Sequence, residues 1–206
     1  DLRKDTVIEF GCGTGFNLKT IFSKFQRKIG VDLNHDALNY AQIYGLETYN
    51  GDANNFNKVK QVNVIAFLDV LYPKNIYPDE ALQNAHRILK SNGYVIVFDG
   101  AFDILAGKHN EKVESTRRFK RINLIRLFKR NNFQVEYINY WGMSLFIILF
   151  IKRFIIENLF HRENENYDIT YFMNDQMKIL MKFESFLSSK LWVPFGASII
   201  AIGKKI

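Results

Sequence analysis

The residues best suited to chemistry stand near the start of the chain. In Val7–Phe16, VIEFGCGTGF, three glycines occupy every second position, Gly11, Gly13 and Gly15, directly after a run of apolar and β-branched residues. Glycine reaches positive φ and lets main chain approach a ligand with no side chain in between, so the turn reads as a bare backbone cradle. Glu9 precedes it by two residues, and three more carboxylates follow: Asp32 in GVDLN, Asp52 in YNGDANNF and Asp69 in FLDVLYP. A carboxylate at Asp32 can accept both hydroxyls of a ribose, which points to a nucleoside ligand. Any of these acids taken singly could instead cap the helix that follows it. The dinucleotide fingerprint G-x-G-x-x-G needs a third glycine where this chain has Phe16,.

The elements that must position these groups follow from periodicity. TVIEF (6–10), RKIGVD (27–32), LETYNGD (46–52), VNVIAFLD (62–69) and GYVIVFDG (93–100) are short, β-rich and in several cases apolar on both faces, the pattern of a parallel sheet covered on both sides,. Between them GFNLKTIFSKF, NHDALNYAQIYG and PDEALQNAHRILKSNG repeat apolar residues at helical spacing. Asn34 is placed to cap the second helix, Gly45 lies just past its end, and Ser91–Gly93 ends the third,. Strand and helix in alternation predict a doubly wound α/β sheet. A helix over 121–132 and a strand over 133–141 follow, then two helices near 143–160 and 173–189, and a last strand in VPFGASIIAIGKK. Four acidic positions thus end four successive strands, and the glycine turn follows the first.

This order, with E-F-G-C-G-T-G at its head, resembles the class I S-adenosylmethionine-dependent methyltransferases, of the type 11/12 small-molecule kind. LQNAHRILKSNGYVIVFD is similar to that family's R-x-L-K-P-G-G segment, with Ser91 and Asn92 in place of Pro-Gly. The resemblance covers 6–100 and extends more loosely through RRFKRINLIRLFKRNNFQVEYI, where Asn132 stands at a common glycine position. It implies an α/β, Rossmann-like, doubly wound and mostly parallel seven-stranded sheet with an antiparallel last strand and a helical insertion before it. It also implies S-adenosyl-L-methionine as cofactor, S-adenosyl-L-homocysteine as product, and in-line methyl transfer to a small-molecule acceptor. The glycine loop would wrap the methionine part, with Glu9 suited to its ammonium. Asp52 would receive the adenine amine and the Ala53 N–H would reach the ring. The expected cofactor set is Glu9, Gly11, Cys12, Gly13, Gly15, Asp32, Leu33, Asp52, Ala53, Leu68 and Asp69.

For the acceptor, Tyr72 is expected in the pocket, and Arg117 and Arg118 could bind an anionic group or form internal ion pairs. His109, in the loop after the fifth strand, is the candidate general base; His35 and His86 fit structural or exposed roles, and His161 lies in a polar stretch of the insertion. Cys12 fits a small packed residue better than a nucleophile, and no metal site is expected. Two alternatives stay open: an NAD(P)-dependent oxidoreductase on a related sheet, and a noncatalytic cofactor-binding module.

Composition bounds the rest. The chain has 206 residues, 48% hydrophobic and 24% charged, consistent with a single domain over 1–206 in which 142–190 forms a helical insertion or lid,. Its single cysteine excludes an intrachain disulfide, and the opening DLRKDTV lacks the charged start and apolar run of a signal peptide, so a cytoplasmic location is expected,. The net charge is +7, with much of the excess in Lys108–Arg130. No nucleic-acid motif accompanies it, so no nucleic-acid partner is expected. WGMSLFIILFI (141–151) is about half a bilayer span and stops at Lys152 and Arg153,. It suits a buried or interfacial helix and leaves contact with a membrane surface open.

Overall fold

The computed structural model describes residues 2–102, 117–151 and 171–206. Seven strands form one sheet: β1 (Thr6–Phe10), β2 (Arg27–Asp32), β3 (Glu47–Asn50), β4 (Val62–Leu68), β5 (Leu89–Gly100), β6 (Phe133–Trp141) and β7 (Ser198–Lys205). Their order is β3-β2-β1-β4-β5-β7-β6. Strands β1 to β5 pair in parallel, and β7 lies antiparallel between β5 and β6. The described helices are α1 (Phe16–Lys19), α2 (His35–Ile43), α3 (Pro78–Ile88), α4 (Arg121–Arg130), α5 (Met143–Ile151) and α6 (Tyr171–Lys190).

The unbroken apolar runs have a direct cause: both faces of the sheet are covered. Ile8, Phe10, Ile29, Val31, Ile65 and Phe67 pack with Ala81, Leu82 and Ala85 of α3 and Leu124 and Phe128 of α4. Val7, Val64 and Ala66 point the other way, into a cluster with Leu18, Phe22, Phe25, and Leu38 and Ala41 of α2. Aromatic packing fixes the centre, where Phe10 stacks on Phe67 with centroids 5.3 Å apart and meets Phe56 edge-on. The chain winds out from β1 to β3 and then returns to place β4 on the other side of β1. In open α/β sheets a crevice forms beyond the strand tips at such a reversal.

Two elements differ from the sequence expectation. The first helix is a single turn, Phe16–Lys19. The Thr20 hydroxyl donates to Phe16 O at 2.8 Å, offering the backbone a local alternative, and buried Phe22 and Phe25 anchor the turns that follow. The strand expected from Gly93 begins instead at Leu89, because Val62 pairs with Leu89 and Val64 with Tyr94; the register shift takes up the intervening residues, with Asn92 at φ 60.

Buried polar groups fasten the helices before β7 to the sheet. Asn139 of β6 donates to Ser188 O at 2.8 Å and Leu191 O at 2.9 Å, and accepts from Val193 N at 2.9 Å. Glu184 of α6, also buried, accepts from the main-chain N–H groups of Met143 and Ser144 and from the Ser144 hydroxyl, capping α5. Replacing Asn139 with Leu keeps the volume but strands those partners. It should lower stability by about 1–3 kcal/mol and make α6 an early site of limited proteolysis. A thermal melt and digestion pattern identical to wild type would show that this fastening is unimportant.

Candidate active site

Each functional position is held by a strand tip. The turn after β1 is pinned to β2: Gly11 N donates to Val31 O at 2.8 Å, and Gly13 N donates to Asp32 Oδ2 at 2.8 Å. Asp32 Oδ1 accepts from Asn34 N at 2.9 Å, and the Asn34 side chain caps α2 by accepting from Asp36 N and Ala37 N. One carboxylate therefore sets the glycine turn against the start of α2. At Gly11, φ is +64 and an added Cβ would lie 2.5 Å from Val70 Cγ2; at Gly13, φ is +51 and an added Cβ would meet nothing within 4 Å. The first glycine permits close packing under the turn and the second leaves bare main chain beside open space.

Glu9, 1% exposed, lies below this turn. Its Oε1 accepts from Asn17 Nδ2 at 2.7 Å, while Oε2 has no partner among the described residues. Burial pushes its carboxyl up from 4.5 to about 7, against the Asn17 bond and with a smaller contribution from the Asp32 charge. Cys12 packs over Gly30, its Sγ facing the Gly13 carbonyl. Burial first, then Asp32 and Glu9, push its thiol up to about 12, so it stays protonated and packed,.

A cavity of about 310 Å³ opens beyond the tips. Phe10 and Gly11 line it from β1, Asp32 and Leu33 from β2, and Gly51 and Ala53 from the end of β3. The segment after β4 closes the other side with Asp69, Val70, Tyr72, Pro73, Asn75 and Ile76. Of the positions singled out in the sequence, Gly11, Asp32, Leu33, Ala53, Asp69 and Tyr72 meet in this space. Glu9, Cys12, Gly13 and Gly15 form the turn and its support; Gly15 packs against Leu46 and Ala41. Asp52 sits between two lining residues and accepts from Asn54 N at 2.9 Å. Leu68 packs against the Val7 side of the sheet.

On the far side of the cavity, Asp69 takes φ 56 and its N–H donates to Phe98 O at 2.8 Å. Desolvation raises its carboxyl above the usual range, with Arg118 pulling the other way. Desolvation, then Asp69 and Asp99, raise the Tyr72 phenol, which keeps its proton and can donate,. Arg117 Nη1 donates to the carbonyls of Leu71, Pro73 and Ile76, so its guanidinium gathers the segment that lines the cavity. Arg118 lies against Gly100 and donates to Ala101 O at 3.5 Å. His109 and His161 lie outside the described residues. His35 is exposed at the start of α2, and His86 rests edge-on against Phe133 near the Ile206 carbonyl.

Sequence reasoning missed Asp99. It is 1% exposed at the end of β5, its Oδ2 accepting from Leu71 N and its Oδ1 from Gly100 N, both at 2.9 Å. Burial raises its carboxyl to about 7. The signal was present, since Asp99 ends VIVFD as the other acids end their strands. Asn75 and Ile76 carried no such signal; only the loop's return toward the strand tips places them in the cavity.

Residues 8–97 match the family described as Methyltransferase domain. No curated protein matches the chain. Among solved structures, the fold is similar to a methyltransferase from Haloferax volcanii in complex with the Trm112 methyltransferase activator, at 14% identity, 97% of this chain, 82% of that chain and a TM-score of 0.66. It is similar to geranyl diphosphate C-methyltransferase from Streptomyces coelicolor A3(2), in complex with Mg2+, geranyl diphosphate and S-adenosyl-L-homocysteine, at 12% identity, 100% and 74% coverage and a TM-score of 0.66. A TehB-like SAM-dependent methyltransferase from Corynebacterium glutamicum matches at 16% identity, 100% and 83% coverage and a TM-score of 0.61. The likenesses carry the fold, a seven-stranded methyltransferase-type sheet, and the match over 8–97 to the family described as Methyltransferase domain takes in the glycine turn and the carboxylate-tipped strands.

Proposed function

We propose that this enzyme transfers a methyl group to a small-molecule acceptor held between the glycine turn and the segment after β4. The observation that carries the reading is a single cavity lined on one side by Gly11, Asp32, Leu33 and Ala53 and on the other by Asp69, Tyr72, Asn75 and Ile76. A space of about 310 Å³ bounded by strand tips and a short loop has the size of a small-ligand site,.

The residues present fit S-adenosylmethionine. Gly13 offers main chain with open space at its Cα, and each Asp32 oxygen, though bonded once to an N–H, keeps a lone pair for a ribose hydroxyl,. Glu9 lies beneath the turn with Oε2 unpartnered among the described residues, and an ammonium bound nearby would favour its ionised form,. Leu33 and Ala53 give the adenine an apolar edge. When bound, the cofactor supplies a methyl group on a positively charged sulfur. The chain's own residues orient the two reactants and exclude water. Asp69 and Tyr72 then supply a proton acceptor and a donor beside the acceptor molecule, and His109 is the base proposed from the sequence.

Calorimetry with S-adenosylhomocysteine and with NADH tests the reading, followed by a turnover screen of small acceptors. S-adenosylhomocysteine should bind and NADH should not. Asp32→Ala should weaken S-adenosylhomocysteine by about 1–3 kcal/mol; unchanged affinity in a folded variant removes Asp32 from the site.

Glu9 gives a separate pH test. Its folded value lies above its unfolded one, so its contribution to stability is fully present below pH 4.5 and is lost as pH rises through about 7,. Compared with Glu9→Gln, the wild-type protein without ligand should therefore lose up to about 3 kcal/mol over that window. Denaturant titrations at several pH values measure this, and parallel pH profiles for the two proteins would refute a buried, proton-holding Glu9.

A further inference from the structure

The helices before β7 carry a surface that the methyl-transfer site does not use. On α6, Glu184 and Ser188 turn inward and are buried, while Ile179, Phe183 and Phe186 on the opposite face are 70%, 61% and 58% exposed. The spacing of these three, four and then three residues, makes one helical stripe. Leu191 and Trp192, just past the helix end, are also exposed, and so are Ile147, Ile148 and Ile151 on the neighbouring α5. Large contiguous apolar exposure marks an interaction surface.

Charge selects the partner. Lys178 and Lys182 border the stripe on one side, and Lys190 closes it with its ammonium 4.7 Å from the Phe186 ring. Arg121 lies 5.9 Å from the Trp192 ring. Asp175 is paired with Lys178 at 2.9 Å and Glu184 is turned into the protein, so Lys182 and Lys190 carry the net positive charge at the edge of the stripe. The whole chain carries +7. An apolar helical stripe edged by lysines is the form of a helix that lies in the plane of an anionic membrane surface, its rings in the acyl boundary and its ammonium groups among the headgroups. No described helix is long and apolar enough to cross a membrane.

Position links this surface to the site. Gly100, at the tip of β5, pairs with Ser198, which also pairs with Trp141 at the end of β6. The helices between β6 and β7 therefore leave the sheet at the edge onto which the cavity opens. We propose that the exposed stripe of α6, with the adjoining face of α5, docks this enzyme onto a bilayer containing anionic lipids. Docking there brings the cavity edge to the headgroup layer, where an amphiphilic or apolar acceptor would be concentrated. That acceptor role rests on the proposed function; the docking itself does not.

Flotation with vesicles tests docking alone. The full chain should float with vesicles of phosphatidylcholine mixed with phosphatidylglycerol, much less with phosphatidylcholine alone, and less as salt is raised. Phe183→Glu with Phe186→Glu should weaken vesicle binding about tenfold or more, and Lys182→Glu by about fivefold or more. Both variants should keep the wild-type melting temperature and S-adenosylhomocysteine affinity. Failure of the wild-type chain to float, or equal flotation of the phenylalanine variant, overturns the proposal. So does a dimer in light scattering that the same variant dissolves without any vesicle binding, which would make the stripe an interface between two copies. Failed flotation with normal S-adenosylhomocysteine binding leaves the methyl-transfer reading standing.

Discussion

The site depends on one carboxylate. Asp32 accepts from the Gly13 N–H with one oxygen and the Asn34 N–H with the other, and so fixes the turn after β1 against the entry to α2. Without that bridge, a turn with three glycines at alternate positions would have many backbone conformations, and ordering it on ligand binding would cost entropy. With it, the bare main chain at Gly13 stands ready beside the cavity. The arrangement is available because β1 lies between β2 and β4, so the turn sits at the reversal of strand order. The sheet supplies the crevice, and Asp32 supplies its shape.

The opposite wall is built differently. The segment after β4 has no regular structure between Asp69 and Tyr77 to hold it, and borrowed polar contacts do that work. Asp99 accepts from Leu71 N from below, and Arg117 binds three of the segment's carbonyls from the side. The sequence expectation gave Arg117 an acceptor anion or an ion pair, whereas the structure gives it main-chain oxygens. Both residues come from beyond the segment they hold, so this cavity wall is tied to the β5 tip and the residues that follow it.

How much could be read in the sequence follows from how local each cause is. Runs such as VIEF and VIAFL declared buried parallel strands because both of their faces are covered, and Asn34 declared a cap because its partners lie two and three residues away. The glycine turn and Asp32 were legible because strand tips in this topology converge. Asp99 was legible as a strand-end acid in VIVFD, but its partner Leu71 lies 28 residues away and the carbonyls that Arg117 binds lie 41 to 46 residues away, which no local pattern encodes. The shortness of α1 was hidden for a different reason: FNLKTIFSKF keeps helical apolar spacing, yet Leu18, Phe22 and Phe25 reach the same core from a turn of helix and two tight turns. The exposed stripe on α6 was hidden because its apolar residues at helical spacing look the same whether they are buried or not.

The account stands on the claim that the bare turn at Gly13, held by Asp32, embraces an adenosyl group whose base reaches toward Ala53. A crystal structure of the chain with S-adenosylhomocysteine measures this directly. It should place the ribose hydroxyls on Asp32, the amino-acid portion along Gly11–Gly13 and the adenine between Leu33 and Ala53. A nucleoside lying elsewhere, or a turn that closes over Gly13 and leaves Asp32 bonded only to main chain, would contradict it.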